Sequence, residues 1–128
     1  MEYTPEVVRR FDSPRGAGEL RAGLPGLVSG EAEDRTLQVW VRFQLQVIDG
    51  VVRAARFAAF GCPHTVAAAS RAAEWLEGRP AGDIPRLDMR AIGQELGVPV
   101  EKLGKLLRIE DAVAACGRAL NRDVTRDD

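Results

Sequence analysis

Only two of the 128 residues are cysteine, Cys62 and Cys116. That excludes a disulfide-stapled scaffold. It also excludes a self-contained site of four thiolates around zinc or an iron–sulfur cluster. Lysine is as scarce: Lys102 and Lys105 stand against sixteen arginines. No apolar run approaches the roughly 18 residues of a membrane helix, which excludes a helical span. No charge excess exists either, since 18 basic and 19 acidic residues leave a net charge of −1. The overall electrostatic footprint of a nucleic-acid binder is therefore missing, although Arg9, Arg10, Arg15 and Arg21 collect near the start. The opening Met1-Glu2-Tyr3-Thr4-Pro5-Glu6 lacks the basic-then-apolar pattern of a secretory signal, and a cytoplasmic protein is expected.

What is there is an ordinary globular balance, 45% apolar and 29% charged, at a length that suits one domain over residues 1–128. Tyr3–Phe11 reads as a short helix with Pro5 in its first turn. Gly16–Gly30, rich in glycine, reads as loop with room for one edge strand. Thr36–Ile48 carries apolar residues at every second position, from Leu37 and Val39 to Val47, and predicts a long strand with one buried face. Asp49-Gly50 is a two-residue hairpin signal, with Val51–Phe60 returning. A strict hairpin register would set Arg56 opposite Phe43 on the apolar face, so a bulge between Ala54 and Phe57 is expected. Thr65–Glu77 predicts a helix stopped by Gly78, Pro80–Pro85 a linker, and Asp88–Leu96 a helix with Asp88 as its N-cap. Glu101–Val124 predicts one or two final helices. Ile109, Ala112, Val113, Cys116 and Leu120 make a core-facing stripe there. Strands followed by a run of helices indicate an α+β domain: an antiparallel sheet of about three strands with helices packed on one face.

Cys62 is the most informative residue. It falls between a strand and a helix, where free backbone N–H groups and the positive end of the helix dipole favour thiolate over thiol. His64, the single histidine, stands two residues on. It is a candidate metal ligand beside Cys62, or a cation that stabilises the thiolate. The plainer alternative is a cysteine filling a corner gap, with His64 exposed. Cys116 reads as packing. Glu31-Ala32-Glu33-Asp34 offers carboxylates, though such clusters before a strand are usually solvated loop. Lys105 reads as an exposed helix lysine, and Trp40 either as an interface anchor or as a ring covered by arginine stems or the N-terminal segment. No hydrolytic triad and no phosphate-cradling glycine loop is present, and no enzyme is expected.

Gly61-Cys62 followed by Ala67–Arg79 resembles the central cysteine motif and helix of the IscU-type iron–sulfur cluster assembly scaffolds, the NifU N-terminal family. Phe11, Pro14 and Arg15 resemble that family's N-terminal turn, Asp49-Gly50 and Ala55-Arg56-Phe57 its hairpin, and Glu110-Asp111-Ala112 its last helix. The resemblance spans nearly the whole chain and implies the SufE/IscU-like α+β fold. It also implies a metal site of three cysteines and an aspartate, often with a histidine. Here the site is degenerate. Only the middle cysteine is kept, as Cys62. The first falls around Glu33–Leu37, the aspartate is matched at best by Asp34, and the His-Cys pair falls on Gly104-Lys105. The family's chaperone-recognition segment is reduced to Val98-Pro99-Val100-Glu101-Lys102.

The resemblance therefore implies a scaffold-like assembly protein. It would bind iron, a [2Fe–2S] cluster or zinc weakly through Cys62, His64 and Asp34, or act on assembly partners through Cys62. A homodimer could pool two Cys62 and two His64. The first alternative is a SufE-type persulfide acceptor, with Cys62 taking sulfur from a cysteine desulfurase. The second is a metal-free interaction protein that has lost its chemistry.

Overall fold

The computed structural model describes residues 3–126, with side chains described through residue 122. The elements in chain order are α1 (Pro5–Asp12), β1 (Leu27–Asp34), β2 (Val39–Ile48), β3 (Val51–Phe60), α2 (Pro63–Leu76), α3 (Met89–Leu96) and α4 (Leu103–Arg126). Short 3₁₀ turns at Ala81–Arg86 and Val100–Lys102 lead into α3 and α4. The strands form one antiparallel sheet in the order β1-β2-β3. Helices pack on one of its faces, as the α+β reading required. None of the described helices is long and apolar enough to cross a membrane.

The period-two pattern of β2 sets the sheet's two faces. Val39, Val41, Phe43, Leu45 and Val47 are all buried, while Trp40, Arg42, Gln44, Gln46 and Ile48 are half-buried on the other side. β1 contributes Val28, Gly30 and Ala32 to the inner face, opposite Leu45, Phe43 and Val41. Gly30 is small for a reason. A Cβ there would stand 2.4 Å from the Ala112 carbonyl oxygen and 2.7 Å from the Cys116 nitrogen, so α4 lies on β1 almost backbone to backbone. Ile109, Ala112, Val113 and Cys116 are fully buried under that contact, as the helical stripe predicted. Cys116 donates its thiol to the Phe43 carbonyl at 3.4 Å. Burial pushes its pKa to about 12, and it is a packing residue.

Two expectations need correction. The bulge lies earlier than the Ala54–Phe57 interval: Gln46 pairs with Ala54 and Val47 with Val52, leaving Arg53 as the extra residue. The effect is the one the pattern demanded, since Phe43 now faces Phe57 and their rings stack at 5.9 Å. The long strand also starts late. Residues 35–38 turn instead, with Gln38 at φ 56°, and the acidic run Glu31–Asp34 belongs to β1 and not to a solvated loop.

The remaining chain seals the sheet. Gly18 donates to the Phe57 carbonyl and Phe57 to that of Gly16, so residues 16–18 run along the outer margin of β3. Gly78 and Arg79 occupy the rest of that margin through Val52. Residues 19–26 then cross the outer face, held by Leu20 N–H to Gln44 at 2.8 Å and Gln46 to the Pro25 carbonyl at 3.2 Å. The Thr4 side chain caps α1 at Val7 and donates to the Leu96 carbonyl at 2.7 Å, which ties α1 to the end of α3.

Candidate functional site: one thiol at the start of α2

The β3–α2 junction places Cys62. Gly61 turns the chain out of the sheet, and Cys62 becomes the N-cap of α2 in an extended conformation, with Pro63 at the first helical position. At an N-cap the side chain faces the free N–H groups of the first turn. The Cys62 Sγ accordingly lies 3.6 Å from the Thr65 Oγ1, three residues on. The thiol is half-buried. Burial pushes it up; the backbone N–H and hydroxyl of Thr65, the backbone N–H of His64 and the Lys105 ammonium outweigh burial, and the net pKa falls below the ordinary thiol value. Thr65 was the residue sequence reasoning passed over. Its position three residues after the cap is the signal that finds it.

His64 is not exposed. It is 1% accessible, and its ring rests on Tyr3 with centroids 4.7 Å apart. Neither ring nitrogen has a hydrogen-bond partner. Burial first, then the Lys102 and Lys105 ammonium groups, hold its pKa below the ordinary imidazole value against the pull of Glu101. The imidazole is therefore neutral near pH 7 and cannot be the cation that stabilises the Cys62 thiolate. That charge comes from Lys105, which is half-buried and not the freely exposed lysine expected.

Asp34 is committed elsewhere. Its Oδ1 accepts the Leu37 N–H at 3.1 Å and its Oδ2 pairs with Arg108 at 3.5 Å. Both are structural tasks at the β1–β2 turn. Among the described residues no three of His, Cys, Asp and Glu gather closely enough to hold a metal ion, so Cys62, His64 and Asp34 are not brought into one ligand set. What the fold does gather is Leu37 and Gly104, where a Cβ would stand 3.3 Å from the Leu37 Cδ1, together with Cys62 and Lys105. These are the positions where the family resemblance placed the outer ligands. They now carry an alkyl group, a glycine and an ammonium.

The surroundings are mixed. Phe60, 70% exposed, and Trp40 wall a surface recess of about 310 Å³ that also takes in Asp34 and Arg35. The Arg42 guanidinium lies 5.9 Å from the Trp40 ring centre, so an arginine partly covers that ring. Val98–Lys102 forms the entry to α4, with Val100 81% exposed. The N-terminal arginines do not make a phosphate-binding patch: Arg9 and Arg10 pair with Glu6, and Arg10 and Arg15 with Glu74.

A three-stranded meander under helices, with a cysteine at the N-cap position of the first helix after the sheet, defines a scaffold-like α+β protein. Comparison with known proteins agrees. The family model described as NifU-like N terminal domain matches residues 2–122. The iron–sulfur cluster assembly scaffold protein IscU of Azotobacter vinelandii is 29% identical over 119 residues, covering 92% of this chain and 93% of that one. Iron-sulfur cluster assembly protein 3 of Arabidopsis thaliana is 31% identical over 119 residues, covering 88% and 67%. The N-terminal NifU-like structure from Brucella abortus superposes with a TM-score of 0.75 at 18% identity, over 93% of this chain and 94% of that one. The chain belongs to the NifU-like N-terminal domain family.

Proposed function

We propose that this chain, a single domain over residues 1–128, is a non-enzymatic iron–sulfur cluster assembly protein of the scaffold family. It works in the cytoplasm, through Cys62 and together with other assembly proteins. One relative named as an assembly scaffold protein and one named as an assembly protein support the pathway. A resident cluster does not fit the residues present. Such a cluster takes about four ligands, usually thiolates, and the donor set here is one thiol, an imidazole held against Tyr3, and a carboxylate already bonded to Leu37 and Arg108.

The reading the geometry supports best is that Cys62 receives sulfur from a cysteine desulfurase. One observation carries it: a half-buried thiol at a helix start, held below its ordinary pKa, and part of no group of three His, Cys, Asp or Glu side chains among the described residues. The Cys62 thiolate attacks the outer sulfur of the desulfurase's cysteine persulfide. A new S–S bond forms at Cys62, the donor's S–S bond breaks, and the donor cysteine leaves as thiolate. The transferred sulfur keeps its proton until the hydropersulfide ionises, and no outside oxidant or reductant is consumed.

Incubation with a cysteine desulfurase and cysteine, followed by mass spectrometry, should add one sulfur to the Cys62 peptide and none to Cys62→Ser. No added sulfur, or equal addition to the variant, overturns this reading. Anaerobic treatment with iron and sulfide should leave the protein colourless. Colour that is lost in Cys62→Ser would instead restore Cys62 as a cluster ligand.

A further inference from the structure

The end of the sheet nearest Cys62 carries a feature that the thiol does not need. Glu33 stands opposite Trp40 across β1 and β2, and Trp40 opposite Phe60 across β2 and β3. A carboxylate, an indole and a phenyl ring therefore form one row on the outer face of the sheet. The row opens into the recess of about 310 Å³, to which Asp34 and Arg35 also contribute. Its rings are not spent on packing: Trp40 is half-buried, and Phe60 at 70% is the most exposed aromatic ring among the described residues. Phe60 ends β3, and Cys62 follows two residues on, so no more than about 7 Å separates their Cα atoms. The charges show what fits. The Glu33 carboxylate makes no hydrogen bond among the described residues, and its ion pair is with Arg35 at 3.7 Å, a side chain 91% exposed. Asp34 adds a second negative charge, although its oxygens are engaged by Leu37 and Arg108. Two carboxylates against Arg35 leave the recess negative. Arg42 lies outside the lining: its guanidinium is 5.9 Å from the Trp40 ring centre, at the outer limit of a cation–ring contact, and is bonded to Glu19 at 2.8 Å. Ring faces attract a cation, and a free carboxylate accepts two parallel N–H groups from a guanidinium. An ammonium offers no matching fork. The chain uses the same stacking internally, where Arg79 lies 3.8 Å from the centre of the Trp75 ring.

We propose that the Trp40–Phe60 recess is a docking site for an arginine side chain of a partner protein: the guanidinium lies against the two rings and forks onto Glu33. The inference goes beyond the acceptor reading, since it involves neither the sulfur nor its ionisation. The recess has room for one long side chain, which makes the arginine a single anchor within a wider contact. A partner anchored there is held beside the start of α2, whatever it brings to Cys62.

The test is an NMR titration of the full chain with the capped tripeptide Gly-Arg-Gly at constant ionic strength. Trp40 and Trp75 are the only tryptophans, so two indole N–H signals report, told apart by Trp75→Phe. The Trp40 signal should move saturably. The Trp75 signal should stay still, because Arg79 already covers that ring. The same peptide with citrulline, which keeps the shape without the charge, should move neither, and Gly-Lys-Gly should need a several-fold higher concentration. Glu33→Gln should raise the half-saturating concentration about threefold, as expected for an exposed ion pair. Phe60→Leu, which keeps an apolar side chain but removes the ring face, should raise it by about as much. Both are surface changes that leave the Trp40 reporter in place. A still Trp40 signal overturns the proposal, as does an equal response to citrulline or to Gly-Leu-Gly, or an unchanged half-saturation in either variant. A Trp40 signal that moves on dilution of the protein alone gives the recess to a second copy of the chain and overturns it too. None of these measurements involves a desulfurase, so sulfur transfer and arginine docking stand or fall separately.

Discussion

Replacing Gly30 with alanine adds one methyl group at the tightest contact between the sheet and α4. The new Cβ would stand 2.4 Å from the Ala112 carbonyl oxygen, 2.6 Å from the Ala115 Cβ and 2.7 Å from the Cys116 nitrogen. Ordinary contacts to these atoms start near 3.4 Å, so the strand and the helix must separate by most of an ångström. Two of the three atoms are backbone and cannot rotate away. Ile109, Ala112, Val113 and Cys116, all fully buried, would lose contact along that seam. Overpacking of this kind costs about 3 kcal/mol, the upper end of the usual range, because the obstacle is rigid. For a domain of this size that lowers the Tm by roughly 10 °C. Urea unfolding followed by circular dichroism measures the change. Gly82→Ala is the control, since no atom lies within 4 Å of its Cβ position and the site is exposed. A Gly30→Ala variant within about 0.5 kcal/mol of wild type would refute the reasoning, for it would mean that α4 moves off β1 without loss.

Two further outcomes follow from the titrating groups. Under native conditions at mildly alkaline pH, iodoacetamide should modify Cys62 and leave Cys116 untouched, because burial pushes the Cys116 pKa to about 12 and Cys62 is held below its ordinary value; mass mapping of the adducts checks it. The folded state holds the His64 pKa below the value that an unfolded chain would restore, chiefly through burial. The unfolded state therefore binds the extra proton, and stability contributed by neutral His64 is present above about pH 6.5 and lost as pH falls below it. His64→Leu should flatten that part of the stability–pH curve relative to wild type in urea titrations at pH values either side of it, and equal slopes for the two proteins would contradict the assignment.

The sequence reading succeeded where one residue type answers to one physical rule. Asp49-Gly50 closes the β2–β3 hairpin, and Asp88 caps α3 by accepting from the Arg90 and Ala91 N–H groups. The alternation of β2 separates the two faces of the sheet. The edge strand allowed for within Gly16–Gly30 is β1, but its extent through Asp34 escaped because its inner face is built from Gly30 and Ala32. Both must be small to admit α4, and small residues carry no hydrophobic alternation to read. The bulge escaped because hydrophobic pattern fixes only which side of the sheet a residue faces, and a bulge at Arg53 restores the same sides as one further on. Within the site, Cys62 was legible from its place between strand and helix. His64 was not, because its burial depends on Tyr3, sixty-one residues earlier in the chain. Asp34 looked available because sequence does not show Arg108 coming back to claim it.

The segments laid along the outside of β3 also govern how copies of this chain can meet. One lateral rim of the sheet is already taken by residues 16–18 and 78–79, so no second molecule can extend the sheet there without first peeling them away. The opposite rim is β1, where Glu31 and Glu33 point to solvent, and adding a like strand would crowd their carboxylates against those of the newcomer. Ribbon-like growth is thus discouraged at both borders, and the thiol at the start of α2 can remain open to visitors without the molecule becoming adhesive to itself.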